Sequence, residues 1–194
     1  MHTIKKAITK YPVLDIIKKR WSPRSFSDKA ISETDVKTII EAASWSFSAL
    51  NEQPWRYVAA FRGTSLFDSF FDLLNAGNKN WNNNTSVLVL SVLSNIYSND
   101  GTVNTYAMHD TGAANMLLTL QANSMGIYTH LMEGFSKEHA QKLLNQGDEI
   151  KPVVMIALGY PDVAEKLDEP FKTRELSPRS RKDINEILLE PQLP

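Results

Sequence analysis

The longest helical signal in the chain, Tyr106 to Met125, sets the strongest limit on what the chain can fold into. Its HDTGAANMLLTLQANSM stretch is small or apolar on more than one face, with Ala113, Ala114, Met116, Leu117, Leu118 and Leu120 spread around the helix and Gly126 as its stop. Such a helix needs cover on most sides. It belongs at the centre of a domain or of an oligomer, and the other elements must be arranged to cover it.

Those other elements alternate in type. Pro12, followed by Val13, Leu14, Ile16 and Ile17, predicts a helix with proline in its first turn, interrupted at Pro23 and followed by an extended segment. Ser32 caps a helix over about 33–44, with Asp35 at its third position and Val36, Ile39, Ile40 and Ala43 at helical spacing. Arg56 to Phe61 reads as a strand. A helix introduced by Gly63 and Thr64 carries Leu66, Phe67, Phe70, Phe71, Leu73 and Leu74 as far as Gly77, and the Asn-rich NKNWNNN reads as a loop. SVLVLSVL over 86–93 and VVMIALGYP after Lys151-Pro152 are continuous apolar runs, the pattern of strands buried on both faces. Tyr128 to Met132 suggests a further strand, and Ser136 caps a short helix to Leu144. From about Asp162 the chain is charged and punctuated by proline, ending on Ile184, Ile187, Leu188 and Leu189. It cannot build its own core and is expected to wrap along the domain or along a partner subunit.

Composition narrows the function. With 194 residues and 42% hydrophobic content, a full core fits in one domain spanning 1–194. A formal net charge of -1 gives no bulk attraction to nucleic acid or to anionic membranes. The chain has no cysteine, which excludes disulfides, thiolate metal sites and thiol nucleophiles and suits a cytoplasmic setting. The N-terminal residues have no sustained apolar run of the kind a signal peptide or membrane span needs.

Familiar catalytic motifs are missing: there is no GxGxxG, Walker loop, GxSxG or HExxH. His2, His109, His130 and His139 are not at metal-ligand spacing and read as structural or surface residues. No metal site is expected. His109 and Asp110 are adjacent on a helix, so they are not expected to face each other, and Asp110 complements the helix N-terminus.

What stands out is SWSFSALNEQPW over 44–55, where Ser48, Asn51 and Gln53 offer donors and acceptors ahead of the fixed Pro54-Trp55 step. It reads as a wall for a flat polar ligand. Two more segments join it: RWSPRSF over 20–26 and GIYTHLMEG over 126–134. Together, in this order, the three resemble the nitroreductase family of FMN-dependent enzymes, with their Arg-x-Ser-x-Arg/Lys-x-Phe and Pro-Ser-x-x-Asn-x-Gln-Pro-Trp motifs. His109-Asp110 to Gly126 resembles the family's central helix and VVMIALGYP its last core strand, so the likeness spans about residues 13–187.

The resemblance implies an α+β class, a three-layer fold with a central mixed, mainly antiparallel sheet flanked by helices and the long helix at a homodimer interface. It implies that Arg20 and Ser22, with Trp21 between them, hold the FMN phosphate and ribityl end, and that Arg24 places a cation near the flavin N1 and O2 edge. It implies that Ser48, Ala49, Leu50 and Asn51 reach the flavin of the partner subunit, with Gln53 a further candidate. His130, Leu131, Met132, Glu133 and Gly134 would lie beside the reactive edge, and Arg179 and Arg181 would close on the phosphate. Plainer readings stay open beside these: a basic helix end for Arg20 and Arg24, a turn residue for Asn51, a core aromatic for Trp55, a charged tail for Arg179 and Arg181. Phe47 stands where the family usually has proline, a departure that bears on the path of the loop and leaves Phe47 able to face the mouth of the site.

The implied activity is hydride transfer from NADH or NADPH through FMN to an electron-poor small molecule such as a nitroaromatic or quinone, in ping-pong order. The flavin carries the chemistry and no side chain is a catalytic nucleophile. Flavin reduction, other flavin chemistry on the same scaffold, or a non-enzymatic dimer that has lost FMN are the alternatives.

Overall fold

The computed structural model describes residues 3–190. Four strands form one sheet in the order β1-β2-β4-β3: β1 is Trp55–Phe61, β2 Val87–Ser94, β3 Tyr128–Met132 and β4 Ile150–Gly159. All three pairings among the described strands are antiparallel, where the sequence reading expected a mixed, mainly antiparallel sheet. Trp55 faces Leu93, Val87 faces Leu158 and Tyr128 faces Gly159. The register slips at Ser91/Val92 as β2 passes Pro152. Proline has no N–H for the ladder, so a bulge is where an inner strand tolerates it.

Helices cover both faces. On one lie α2 (Glu33–Ser44) and α5 (Ala107–Ser124), packing Val36, Ile39, Leu118 and Ala122 against Val87, Val89, Ile156 and Leu158. On the other lie α3 (Ser65–Leu73) and α6 (Lys137–Leu144), whose Phe67, Phe70 and Ala140 meet Leu88, Leu90, Val92 and Met155. Alternate residues of β2 thus enter opposite cores. That is why its sequence is apolar throughout rather than alternating.

The long helix is less oily than its sequence suggests. Asp110, Thr111, Asn115, Thr119 and Asn123 point inward and are buried. Asn115 Oδ1 accepts from Tyr57 Oη and Ser91 Oγ, each at 3.0 Å, so one amide ties α5 to β1 and β2. Burial also pushes the Tyr57 hydroxyl pKa up. Met108 and Met116 face outward on the stripe this chain leaves uncovered.

Two boundaries differ from the sequence reading. Helix α1 is only Asp15–Lys19, starting beyond Pro12 rather than around it. The helix expected to reach Gly77 stops at Leu74, which is extended and bridges Phe135; a one-turn α4, Ala76–Lys79, restarts under an Asn75 cap. Asn75 Oδ1 accepts from Asn78 N at 3.0 Å, a local bond that competes with continuing α3. Beyond β4, α7 (Phe171–Leu176) folds back on the core and α8 (Ile184–Ile187) is capped by Asp183 and Glu186.

Gly159 closes β4 against the ring of Phe26, itself buried and bridged to Pro161. A methyl group there would lie 2.5 Å from Phe26 Cδ1 and 2.7 Å from Cγ. Gly159→Ala should therefore lower the urea midpoint by the equivalent of about 1–3 kcal/mol, the usual cost of overpacking. An unchanged midpoint would mean that Phe26 moves aside freely.

Candidate active site

The first motif is an extended strap. Arg20 ends α1 in an extended conformation (φ -63°, ψ 128°), and Pro23 keeps the next residues out of the helical region. Extended backbone alternates its side chains. Arg20, Ser22 and Arg24 are half-buried on one side, while Trp21, Pro23 and Ser25 are buried on the other.

The strap is held mainly by groups far away in sequence. The Glu175 carboxylate, on α7, accepts from Arg24 N at 3.1 and 3.2 Å and from Ser25 N at 3.2 Å. Ser25 Oγ donates to Val163 O at 2.6 Å, and His130 Nδ1 lies 2.9 Å from Pro23 O. A carbonyl only accepts, so His130 Nδ1 carries the proton of that bond.

Three guanidiniums gather beside the strap. Arg20 Nη1 donates to Ser22 Oγ at 3.4 Å, and Arg179 Nη1 donates to Lys5 O and Lys18 O, both at 3.1 Å. Burial lowers the pKa of Arg20, and the fields of Arg179 and Arg181 lower it further. Among the described residues no carboxylate forms an ion pair with any of the three. A cationic cluster without an internal counter-charge is a ready anion site.

Arg24 takes a separate position. Its guanidinium lies over the rings of Trp81 and Phe171, at 5.9 and 6.0 Å. Burial lowers its pKa, opposed by Glu175 and reinforced by Arg174. The Trp81 ring in turn packs against His130, centroids 4.5 Å apart. Burial, then the charge of Arg24, holds the His130 pKa down at about 4, so the ring is neutral at physiological pH.

The end of β3 completes this group. Met132 is buried, with Sδ accepting from Asn82 Nδ2 at 3.1 Å, and Leu131 and Glu133 are exposed. Gly134 O accepts from Asn75 N at 2.9 Å and Asn78 Nδ2 at 3.0 Å. A side chain at Gly134 would strike the amides of both asparagines. The Met132 side chain is buried in the core and that of Trp21 is turned to the other side of the strap, so on this side only their backbone atoms can meet a ligand.

The second motif stands elsewhere. Ser48 to Asn51 lead into β1, one edge of the sheet, while His130 to Met132 belong to β3, the other edge, and Glu133 and Gly134 follow directly on it. Two strands intervene, so at strand spacing the edges are about 14 Å apart. The loop has its own support. Ala49 N donates to Asp110 Oδ2 at 2.9 Å, and Gln53 N donates to Ser48 Oγ at 3.0 Å. Leu50, Asn51 and Gln53 have φ of 54°, 57° and 52°, and Leu50 and Phe47 are exposed.

His109 and Asp110, expected not to meet, do: Nδ1 and Oδ1 are 2.9 Å apart at the first turn of α5, where the side chains turn toward the loop. Trp55 is a core residue, as its plainer reading held. His2 lies outside the described residues. Glu175, Asn75, Asn78 and Trp81 were not picked out from sequence; each acts through a contact with a segment distant from its own. No cluster of metal-ligating side chains occurs among the described residues, and no helix there is long and apolar enough to cross a membrane.

Comparison with known proteins bears on this arrangement. The Nitroreductase family profile matches residues 17–80, which include the strap and the Ser48–Asn51 loop. A solved structure described as an oxidoreductase containing FMN is 31% identical, covers 96% of both chains and superposes with a TM-score of 0.90. The chain belongs to the nitroreductase family. An Archaeoglobus fulgidus relative, named provisionally as an NADH dehydrogenase/NAD(P)H nitroreductase, is 26% identical over 156 residues, 76% of this chain and 84% of its own. A Desulfovibrio desulfuricans structure, described provisionally as a nitroreductase in complex with FMN, is 24% identical, covers 96% of this chain and 100% of its own, and has a TM-score of 0.74. The nitroreductase fold accounts for the helix layers on both faces of the sheet.

The state of His130 has a measurable consequence. Its folded pKa lies below the ordinary value of 6.5, so between about pH 6.5 and 4 the unfolded chain takes up a proton that the folded chain refuses. His130 thus contributes stability that is full above pH 6.5 and lost as pH falls through that window. Urea unfolding from pH 8 to 4 should show the loss, and His130→Gln, which keeps a donor for Pro23 O, should flatten it. An identical pH slope in the variant would assign the proton to another group.

Proposed function

We propose that this nitroreductase-family chain is an FMN-dependent oxidoreductase that takes reducing equivalents from NADH or NADPH and passes them to an electron-poor small molecule such as a nitroaromatic or quinone. The observation that carries the reading is the cluster of Arg20, Arg179 and Arg181 without an ion-paired carboxylate, beside Ser22 on the same strap. The residues suit FMN. A phosphate monoester carries the charge that the cluster lacks, and guanidinium forks match its oxygens.

Other residues take the ring. Arg24, held over Trp81 and Phe171, would set a fixed positive charge near the N1 and O2 edge. Gly134 packs so closely against Asn75 and Asn78 that a side chain there would displace their amides, which fixes the backbone just past β3 where the reactive edge of the ring would lie. When bound, FMN supplies hydride acceptance and donation. The protein's part is to bind and orient the ring, favour its reduced form through the Arg24 charge, and leave one face open to donor and acceptor in turn. A cytoplasmic setting, where reduced nicotinamides are held, goes with that donor.

The site would be shared between two subunits. Ser48, Ala49, Leu50 and Asn51 stand across the sheet from the strap in their own chain, and Trp45, Phe47, Leu50, Met108 and Met116 are exposed on the same side as α5. A homodimer that covers this apolar surface would bring the loop of one chain to the FMN of the other, and the C-terminal extension from about 162 would lie along both.

The purified protein should therefore be yellow, with one FMN per chain, and should bleach anaerobically with NADH or NADPH and recover with a quinone. Colourless protein that takes up no FMN would overturn the reading, as would bound FMN that neither nicotinamide reduces. Arg24→Ala should make the flavin potential more negative or weaken FMN retention about tenfold, the scale of one charge-assisted contact. Unchanged flavin content and potential would remove Arg24 from its role.

A further inference from the structure

We propose that the cavity between α1, the C-terminal end of α5 and the start of β3 binds a small aromatic carboxylate, at a site separate from the flavin. The cavity has a volume of about 620 Å³, within the range of small-molecule pockets. Trp21 and Tyr128, in edge-to-face contact at 6.3 Å, form an aromatic wall, and Ile16 adds an aliphatic one.

Three polar groups line the same space, and they differ in how far they are already satisfied. Asn123 is only 8% exposed, and its Nδ2 has no hydrogen-bond partner. A buried amide donor left unpaired costs about 1–3 kcal/mol, so a ligand acceptor there has a ready gain. Lys19 forms no ion pair with a carboxylate among the described residues. Asp162, by contrast, is already engaged by Lys166 Nζ at 2.6 Å and Val163 N at 2.8 Å. The available cation and the orphan donor together call for an anion with acceptor oxygens. The aromatic wall calls for a flat ring attached to it.

The alternation of the strap keeps this site apart from the phosphate cluster. Trp21 faces the cavity, whereas Arg20, Ser22 and Arg24 point from the other side of the same backbone. A ligand in the cavity therefore lies back to back with the proposed cofactor.

Protein-observed NMR on the protein as purified tests this with 2-naphthoate as probe. The side-chain amide signals of Asn123 should shift and saturate, whether or not the protein is first supplied with excess FMN. Asn123→Ala should weaken binding about tenfold, the scale of a hydrogen bond to a charged group. Lys19→Gln, or neutral 2-naphthamide as probe, should each weaken it severalfold. Asn123→Leu, of similar volume with the orphan donor removed, should abolish binding without lowering the unfolding temperature, which separates lost recognition from lost folding. The proposal is overturned by an Asn123 signal that stays still up to the solubility limit of the probe, by full affinity in both Asn123 variants, or by a probe that changes flavin absorbance alone and is displaced by FMN.

Discussion

Glu175 holds the strap on which the rest of the site depends. A carboxylate only 1% exposed is costly unless its oxygens are met, and here they are met by the consecutive backbone N–H groups of Arg24 and Ser25. The need runs both ways. Pro23 forces the strap out of the helix, and among the described residues the only β-bridge it makes is at Phe26 and Pro161, so the amides of Arg24 and Ser25 have no ladder to join. Burial pushes the Glu175 pKa up, while the two amides, Lys5 and Arg24 pull it back toward the ionised form. The C-terminal extension is in this sense part of the first motif.

That coupling explains how the two ends of the chain lock one another. Lys5 is buried and donates to Arg174 O and Ser177 O, at 2.8 and 2.6 Å, and Arg179 returns a bond to Lys5 O. The extension is thereby fixed where its arginines must sit beside Arg20. Like charges so placed repel each other, and the fixed backbone offsets that repulsion. His130 contributes by remaining neutral. A second cation against Trp81 would press on Arg24, whereas the neutral ring packs beneath it.

Sequence reading succeeded where the signal is local. The apolar runs of β2 and β4, the Ser32 and Ser136 caps and the stop of α5 near Gly126 are each settled by a few neighbouring residues, and each lies within three residues of its expected place. The α3 boundary failed because Leu74 pairs with Phe135, some sixty positions on, and the periodicity of a helix does not carry that information. The same limit hid Glu175, Asn78 and Trp81. Each looks like an ordinary helix, loop or aromatic residue until Arg24, Gly134 or His130 is set beside it. Arg20 and Gly134 were singled out through a family resemblance, which supplies what one chain's spacing cannot, but a motif position does not say which way a side chain points, and those of Trp21 and Met132 are buried.

The loop before β1 carries a different argument, from strain. Leu50, Asn51 and Gln53 all hold left-handed backbone without being glycine, at a cost of about 1 kcal/mol or more each. Nothing in the core of this chain collects that cost, because Leu50 is 83% exposed and Phe47 lies alongside His109 at the surface. What maintains the shape is Asp110, a buried carboxylate spent on Ala49 N and His109. Two unfavourable features, a strained turn and a buried charge, are thus combined to present Ser48 to Asn51 in one conformation to the outside. A loop shaped only for its own chain would relax by a substitution to glycine at position 50 or 51. Its rigid, outward-facing form is better explained by a surface beyond the chain that it must fit without rearrangement.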